Sequence, residues 1–69
     1  MSIQRLHKVT SILLSYMKEG EAGSVQAEHD AIFLYGPTLA VVSAEDTWRL
    51  REECFTEWLE DMQGWYVPA

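Results

Sequence analysis

The stretch FTEWLEDMQGWYV, residues 55–67, admits two readings that lead to different folds. As the end of a helix running from residue 44 to about 62, it lines Trp48, Phe55, Leu59 and Met62 along one face and Asp46, Glu53, Glu57 and Glu60 along the other, with Gly64 just past the end. As a β-hairpin turning near Asp61-Met62, it sets Trp58 opposite Trp65. Two physical arguments favour the hairpin. Glu60 and Asp61 would lie in the last turn of a long helix, where the backbone dipole repels acids. Phe, Trp and Tyr are also the side chains that strands favour, and an aromatic cross-strand pair adds roughly 0.2–1 kcal/mol over a bland one. The hairpin is the expected form, with the long helix as the alternative.

Upstream of this stretch, Ser43 followed by Asp46 forms an N-terminal capping pattern, and Glu45 and Asp46 fall where the helix dipole favours negative charge, so a helix starts at Ala44. Before it, Ala31 to Tyr35 is a short β-prone run closed by Gly36-Pro37. Leu39 to Val42 is either a second strand or an extended approach to the helix. A two-residue Pro37-Thr38 hairpin is disfavoured because proline cannot take the positive φ of a primed turn. Residues 19–28, EGEAGSVQAE, have two glycines, three acids and no sustained period, and read as a linker.

Residues 3–18 read as an amphipathic helix. Leu6, Val9, Leu13 and Tyr16 recur at helical spacing, Ser2 is a candidate N-cap, and Gly20 follows the expected end. The same four residues follow a 3,4,3 spacing and form a candidate dimer face, although the stripe is shorter than the three or so heptads a coiled coil needs. The fold expected for residues 1–69 is a single small α+β domain with helix 3–18, linker 19–28 and an α/β part over 29–69.

At 69 residues the chain removes only about 60% of its unfolded surface from water, so a partner or a second copy would help to stabilise it. Cys54 is its one cysteine, which excludes an internal disulfide and suits a reducing compartment, the cytoplasm. The longest purely apolar runs, Ile12-Leu13-Leu14 and Leu39-Ala40-Val41-Val42, fall far short of the roughly 20 residues that span a bilayer, and residues 1–19 lack a signal-peptide pattern. No membrane association is expected. Net charge is −6, unevenly spread: Arg5, Lys8 and Lys18 give residues 1–18 a charge of +3, while the remainder sets eleven acids against Arg49 and Arg51, net −9. That acidic balance argues against direct nucleic-acid binding, which needs clustered Lys and Arg.

The residues that could carry chemistry give weak signals. Glu28-His29-Asp30 places three ligand types in a row, but consecutive strand residues face opposite ways and cannot readily grip one ion. Cys54 with His7 or His29 lacks any nucleophile motif, and the four glycines match neither phosphate-binding fingerprint, so no catalytic residue, metal or cofactor is expected. The aromatic set Phe33, Tyr35, Trp48, Phe55, Trp58, Trp65 and Tyr66 is more informative, because Trp, Tyr and Phe are enriched at protein interfaces. Part of it is expected to be exposed, with Trp58, Trp65 and Tyr66 foremost.

From residue 29 onward the chain resembles a class of short phage and prophage proteins. The matching residues are HDAIFLYGP at 29–37, VSAEDTWRL at 42–50, then Phe55, Trp58, Glu60-Asp61 and Gly64-Trp65. The resemblance implies a strand, a Gly-Pro turn, a helix opened by Ser-x-Glu-Asp and a short acidic hairpin closing on tryptophan. It covers roughly the last 40 residues and brings no established activity. The chain departs from the pattern at Cys54, where the others have the glycine that ends the helix.

Together these observations lead to the expectation of a non-catalytic protein-binding module, a phage-derived accessory or inhibitor protein acting on a host protein with a basic surface. Its contact residues would be Trp58, Trp65, Tyr66, Glu57, Glu60 and Asp61. Two alternatives stand beside it: a homodimeric assembly protein using Leu6, Val9, Leu13 and Tyr16, and an acidic nucleic-acid mimic using the row Asp46, Glu53, Glu57 and Glu60.

Overall fold

The computed structural model describes all 69 residues, Met1–Ala69, as an α+β domain with two helices on one face of a four-stranded antiparallel sheet. In chain order the elements are α1 (Ile3–Leu14), β1 (Ser24–Ala27), β2 (Ala31–Tyr35), α2 (Ala44–Cys54), β3 (Glu57–Leu59) and β4 (Gly64–Pro68). The sheet order is β1-β2-β4-β3, so the last strand of the chain is an interior one, paired with both β2 and β3. No helix is long and apolar enough to cross a membrane.

The C-terminal stretch is the hairpin. Trp58 and Trp65 are cross-strand partners with ring centroids 5.2 Å apart at 64°. The loop spans residues 60–63, with Gln63 left-handed at φ 53° and its amide bonded to the Glu60 carbonyl at 3.3 Å. α2 stops at Cys54 even though no glycine follows. Phe55 takes the left-handed cap conformation instead, at φ 56° and ψ 25°, and the Thr56 amide closes the helix on the Leu50 carbonyl at 2.8 Å. The departure from the resemblance at Cys54 therefore does not extend the helix, because the strained position falls one residue later.

α2 begins at Ala44 as the capping pattern implies, with the Ser43 hydroxyl accepting from the Asp46 amide at 3.1 Å. α1 is shorter than the expected 3–18. Beyond Leu14 the backbone tightens into bonds from Tyr16 to Leu13 at 3.1 Å and from Met17 to Leu14 at 3.0 Å, while the Ser15 hydroxyl bonds the Ile12 carbonyl at 2.6 Å. Tyr16 is held across the fold: its hydroxyl accepts from the Ser43 amide at 3.1 Å and donates to the Asp46 carboxylate. The supposed linker 19–28 contains β1, in which Val25 is the one strong strand former among Ser24, Gln26 and Ala27, and which is held as a strand by pairing with β2. Leu39 to Val42 is not a strand. It turns on bonds from Val41 and Val42 to the Thr38 carbonyl and delivers Val42 to the core.

One cluster forms the core: Val9 and Leu13 from α1, Leu50 and Cys54 from α2, Val42, and Leu34, Trp65 and Val67 from the sheet. Trp65 is 1% exposed, and its indole N–H donates to the Pro37 carbonyl at 2.8 Å, which fastens the β2–α2 connection over the central strand. The helices are braced at the surface by the Lys8–Glu53 ion pair.

On the other side of the sheet, the Tyr35 ring lies across Gly64. A Cβ on residue 64 would come within 2.6 Å of the Tyr35 ring, so close approach rather than backbone conformation calls for glycine there. Gly64→Ala is expected to lower stability by about 1–3 kcal/mol in urea unfolding. Most of that loss should vanish in a Tyr35→Ala background; an unchanged loss there would mean that the ring is not its cause.

The Lys8 ammonium, hydrogen-bonded to Glu53, holds that carboxyl below its ordinary value of 4.5. A depressed carboxylate stabilises the fold above the unfolded value and loses that contribution as pH falls through the folded one. Wild type should therefore exceed Lys8→Met in stability at pH 7 by a small margin that closes below about pH 4. A margin that stays constant with pH would assign the difference to the lysine stem instead.

Candidate functional site

Because side chains alternate along a strand, the residues between the core positions all face away from the helices. The strand register places them in two rows. Gln26, Phe33, Tyr66 and Glu57 are successive cross-strand neighbours over all four strands. Beside them, Ser24 pairs with Tyr35, whose ring covers Gly64, and Gly64 pairs with Leu59. Neither helix covers this face. Phe33, Tyr35, Tyr66 and Leu59 are each half-buried, and the Phe33 and Tyr66 rings meet at 5.5 Å with a 40° tilt.

The electrostatics of this open face are one-sided. No strand contains a lysine or arginine, nor do the loops at 28–30 and 60–63. Glu57 ends one row and is exposed, as are Glu60 and Asp61 in the adjoining loop. The cations lie elsewhere: Lys8 pairs with Glu53, Arg49 with Glu45 and Asp46, and Arg5 donates to the Pro68 carbonyl while lying 5.6 Å from the Phe55 ring centre. The surface is aromatic in the middle, with acid at one side.

The six residues read from the sequence as one contact site are divided by the pleat. Tyr66 and Glu57 lie on the open face. Trp65 faces the helices and is core, so it offers no contact surface. Trp58, its cross-strand partner, is half-buried on the same side, and its indole N–H bonds Glu60 at 2.6 Å. Glu60 and Asp61 sit in the connecting loop. Phe33 and Tyr35 complete the open face and were not among the expected contacts. Their i, i+2 spacing in AIFLY was a visible signal, but which neighbours they meet depends on a strand order that local sequence does not encode. The largest exposed aromatics are instead Trp48, at 51%, and Phe55, at 61%.

The other expected surfaces are consumed by the fold. Of the candidate dimer face, Val9 and Leu13 are buried in the domain's own core, and Leu6 and Tyr16 are half-buried. The acidic row of the mimic reading does not form. Glu57 and Glu60 lie outside α2, Asp46 holds Tyr16, and Glu53 holds Lys8. No three His, Cys, Asp or Glu side chains converge as a metal site; Glu28 closes β1, and His29 and Asp30 form its connection to β2.

No protein-family model matches the chain, and no curated protein or solved structure is significantly similar to it.

Cys54 is fully buried, and burial pushes its thiol above the ordinary range, more than the nearby Lys8 and Arg5 charges offset. In native buffer it should react with a disulfide reagent only as fast as the protein opens, and promptly in urea. Rapid native labelling would reinstate Cys54 as a candidate nucleophile.

Proposed function

We propose that the chain is a non-catalytic protein-binding module of the cytoplasm whose open sheet face docks on a basic surface of a host protein. The observation that carries this reading is the combination of an uncovered aromatic sheet face with acids beside it and no cation in any strand. Tyr and Phe supply large, stiff contact area, and peripheral acids steer a positive partner into register. Phe33, Tyr66 and Tyr35 are the anchors, with Glu57 and Asp61 at the rim. The accessory or inhibitory role belongs to the proposal: it is a role open to a small phage-like protein, and the resemblance itself carries no activity. A homodimeric assembly protein is a weaker reading, since Val9 and Leu13 of the helix stripe that would have served it are buried in the domain's own core.

A Phe33→Thr/Tyr66→Thr double variant keeps strand-compatible residues while removing the two rings. In pull-downs from host lysate, wild type is expected to retain a protein that the variant loses, with retention falling as salt rises from about 0.05 to 0.5 M. Identical retention by both proteins, with the variant's circular dichroism unchanged, would remove the open face as the binding surface. Salt-independent retention would remove the electrostatic part of the reading.

A further inference from the structure

We propose that the free edge of β1 takes up an extended segment of another protein as a fifth strand, one with apolar residues at alternate positions and Lys or Arg at both ends. This edge is separate from the open face.

The hydrogen bonding of β1 sets out the opportunity. The Glu28 amide donates to the Ala31 carbonyl at 2.9 Å, which fixes the phase of the antiparallel ladder. The bonding pairs are then Gln26 with Phe33 and Ser24 with Tyr35, so the N–H and C=O groups of Val25 and Ala27 point outward from the sheet. Sheet edges are ordinarily blunted by a charge, a proline, a bulge or a covering element. SVQA contains no charged residue and no proline, its register with β2 is unbroken, and all four residues are exposed.

The helical layer also stops short of this strand. Val25 shares a face with its partner Leu34, yet Leu34 is buried while Val25 is 66% exposed. Leu14, in the last turn of α1, is 62% exposed. Between them lies a cavity of about 290 Å³, lined by Leu13, Leu14, Met17, Val25 and Leu34 among others. That volume is at or below the lower end for small-molecule sites, which run from roughly 300 to 1,000 Å³, and it suits a few aliphatic side chains. A strand added beside β1 would direct every second side chain into this space while its backbone satisfies Val25 and Ala27.

Charge selects the occupant. Glu19 and Glu21 precede β1, and Glu28 and Asp30 follow it. A second copy pairing antiparallel with Val25 opposite Val25 would set Glu21 of each chain against His29 of the other, between Glu28 and Asp30, which gathers acids at both ends of the pairing. A foreign segment with basic flanks meets acids at both ends instead.

The test uses the full chain and a fluorescein-labelled synthetic peptide of alternating valine and threonine with two lysines at each end. A control peptide has the same centre with glutamate flanks. Ala27→Pro removes one outward N–H without touching the β1–β2 bonds, and Leu14→Lys charges the far wall of the cavity at an exposed position. The expected result is saturable binding of the lysine-flanked peptide by anisotropy. It should weaken at least tenfold with glutamate flanks, with Ala27→Pro and with Leu14→Lys, and persist in Phe33→Thr/Tyr66→Thr. Equal affinity for both peptides, wild-type binding by both edge variants, or loss confined to the open-face variant would overturn the proposal. So would a native dimer that Ala27→Pro dissociates, which would give the edge to a second copy. Should Ala27→Pro fail to fold, Leu14→Lys and the two peptides still decide the matter.

Discussion

The fold depends on the direction in which Trp65 points. As part of an interior strand, this side chain meets Leu34 on one side and Trp58 on the other, and its indole N–H reaches over to the Pro37 carbonyl. It is thereby in contact with the sheet, the hairpin and the connection into α2. Once Trp65 is committed to the helix side, Gly64 and Tyr66 must take the opposite side, and the rest of the open face follows by register. Tyr35 can then lie over Gly64, and Phe33 can meet Tyr66. A slip of one residue in β4 would expose the tryptophan and bury an edge of the open face. Core and surface are therefore specified by the same pairing.

Local signals carried much of this architecture into the sequence. The Ser43 cap located the start of α2, the hydrophobic stripe located α1, and the misplacement of acids in a long helix pointed to the hairpin and its tryptophan pair. Local signals failed where structure is conferred by distant pairing. SVQA has a single strong strand former, Val25, too little to mark a strand by itself, and becomes β1 by pairing with β2. α1 ends at Leu14 rather than Lys18, and just past that end the Tyr16 hydroxyl bonds Ser43 and Asp46, 27 and 30 residues away.

The candidate site was legible in kind but not in membership. Aromatic residues near acids were evident, and Tyr66 and Glu57 do lie together. Grouping residues by nearness along the chain, however, cannot hold within a strand, where adjacent side chains diverge. The open face draws on residues 33, 35, 57, 59 and 66, which come together only through the crossing connection from β2 through α2 to β3. Electrostatic segregation follows the same layering. The cations sit on the helices or in the connections beside them, where several pair with acids of the same layer, and the strands are left with glutamate alone as a charged residue.

The placement of β4 also bears on when the molecule can come into being. Its five residues are the last element in chain order, yet they lie between β2 and β3 and supply Trp65 and Val67 to the core. Until Gly64–Pro68 have cleared the ribosome, the nascent chain can hold a helix and the β1–β2 hairpin, but β3 has no neighbour and the apolar faces of both helices have no complete floor. Loop-closing contacts of this range form late. Synthesis of the domain therefore precedes its assembly, and the emerging chain carries uncovered apolar surface until its final strand is inserted.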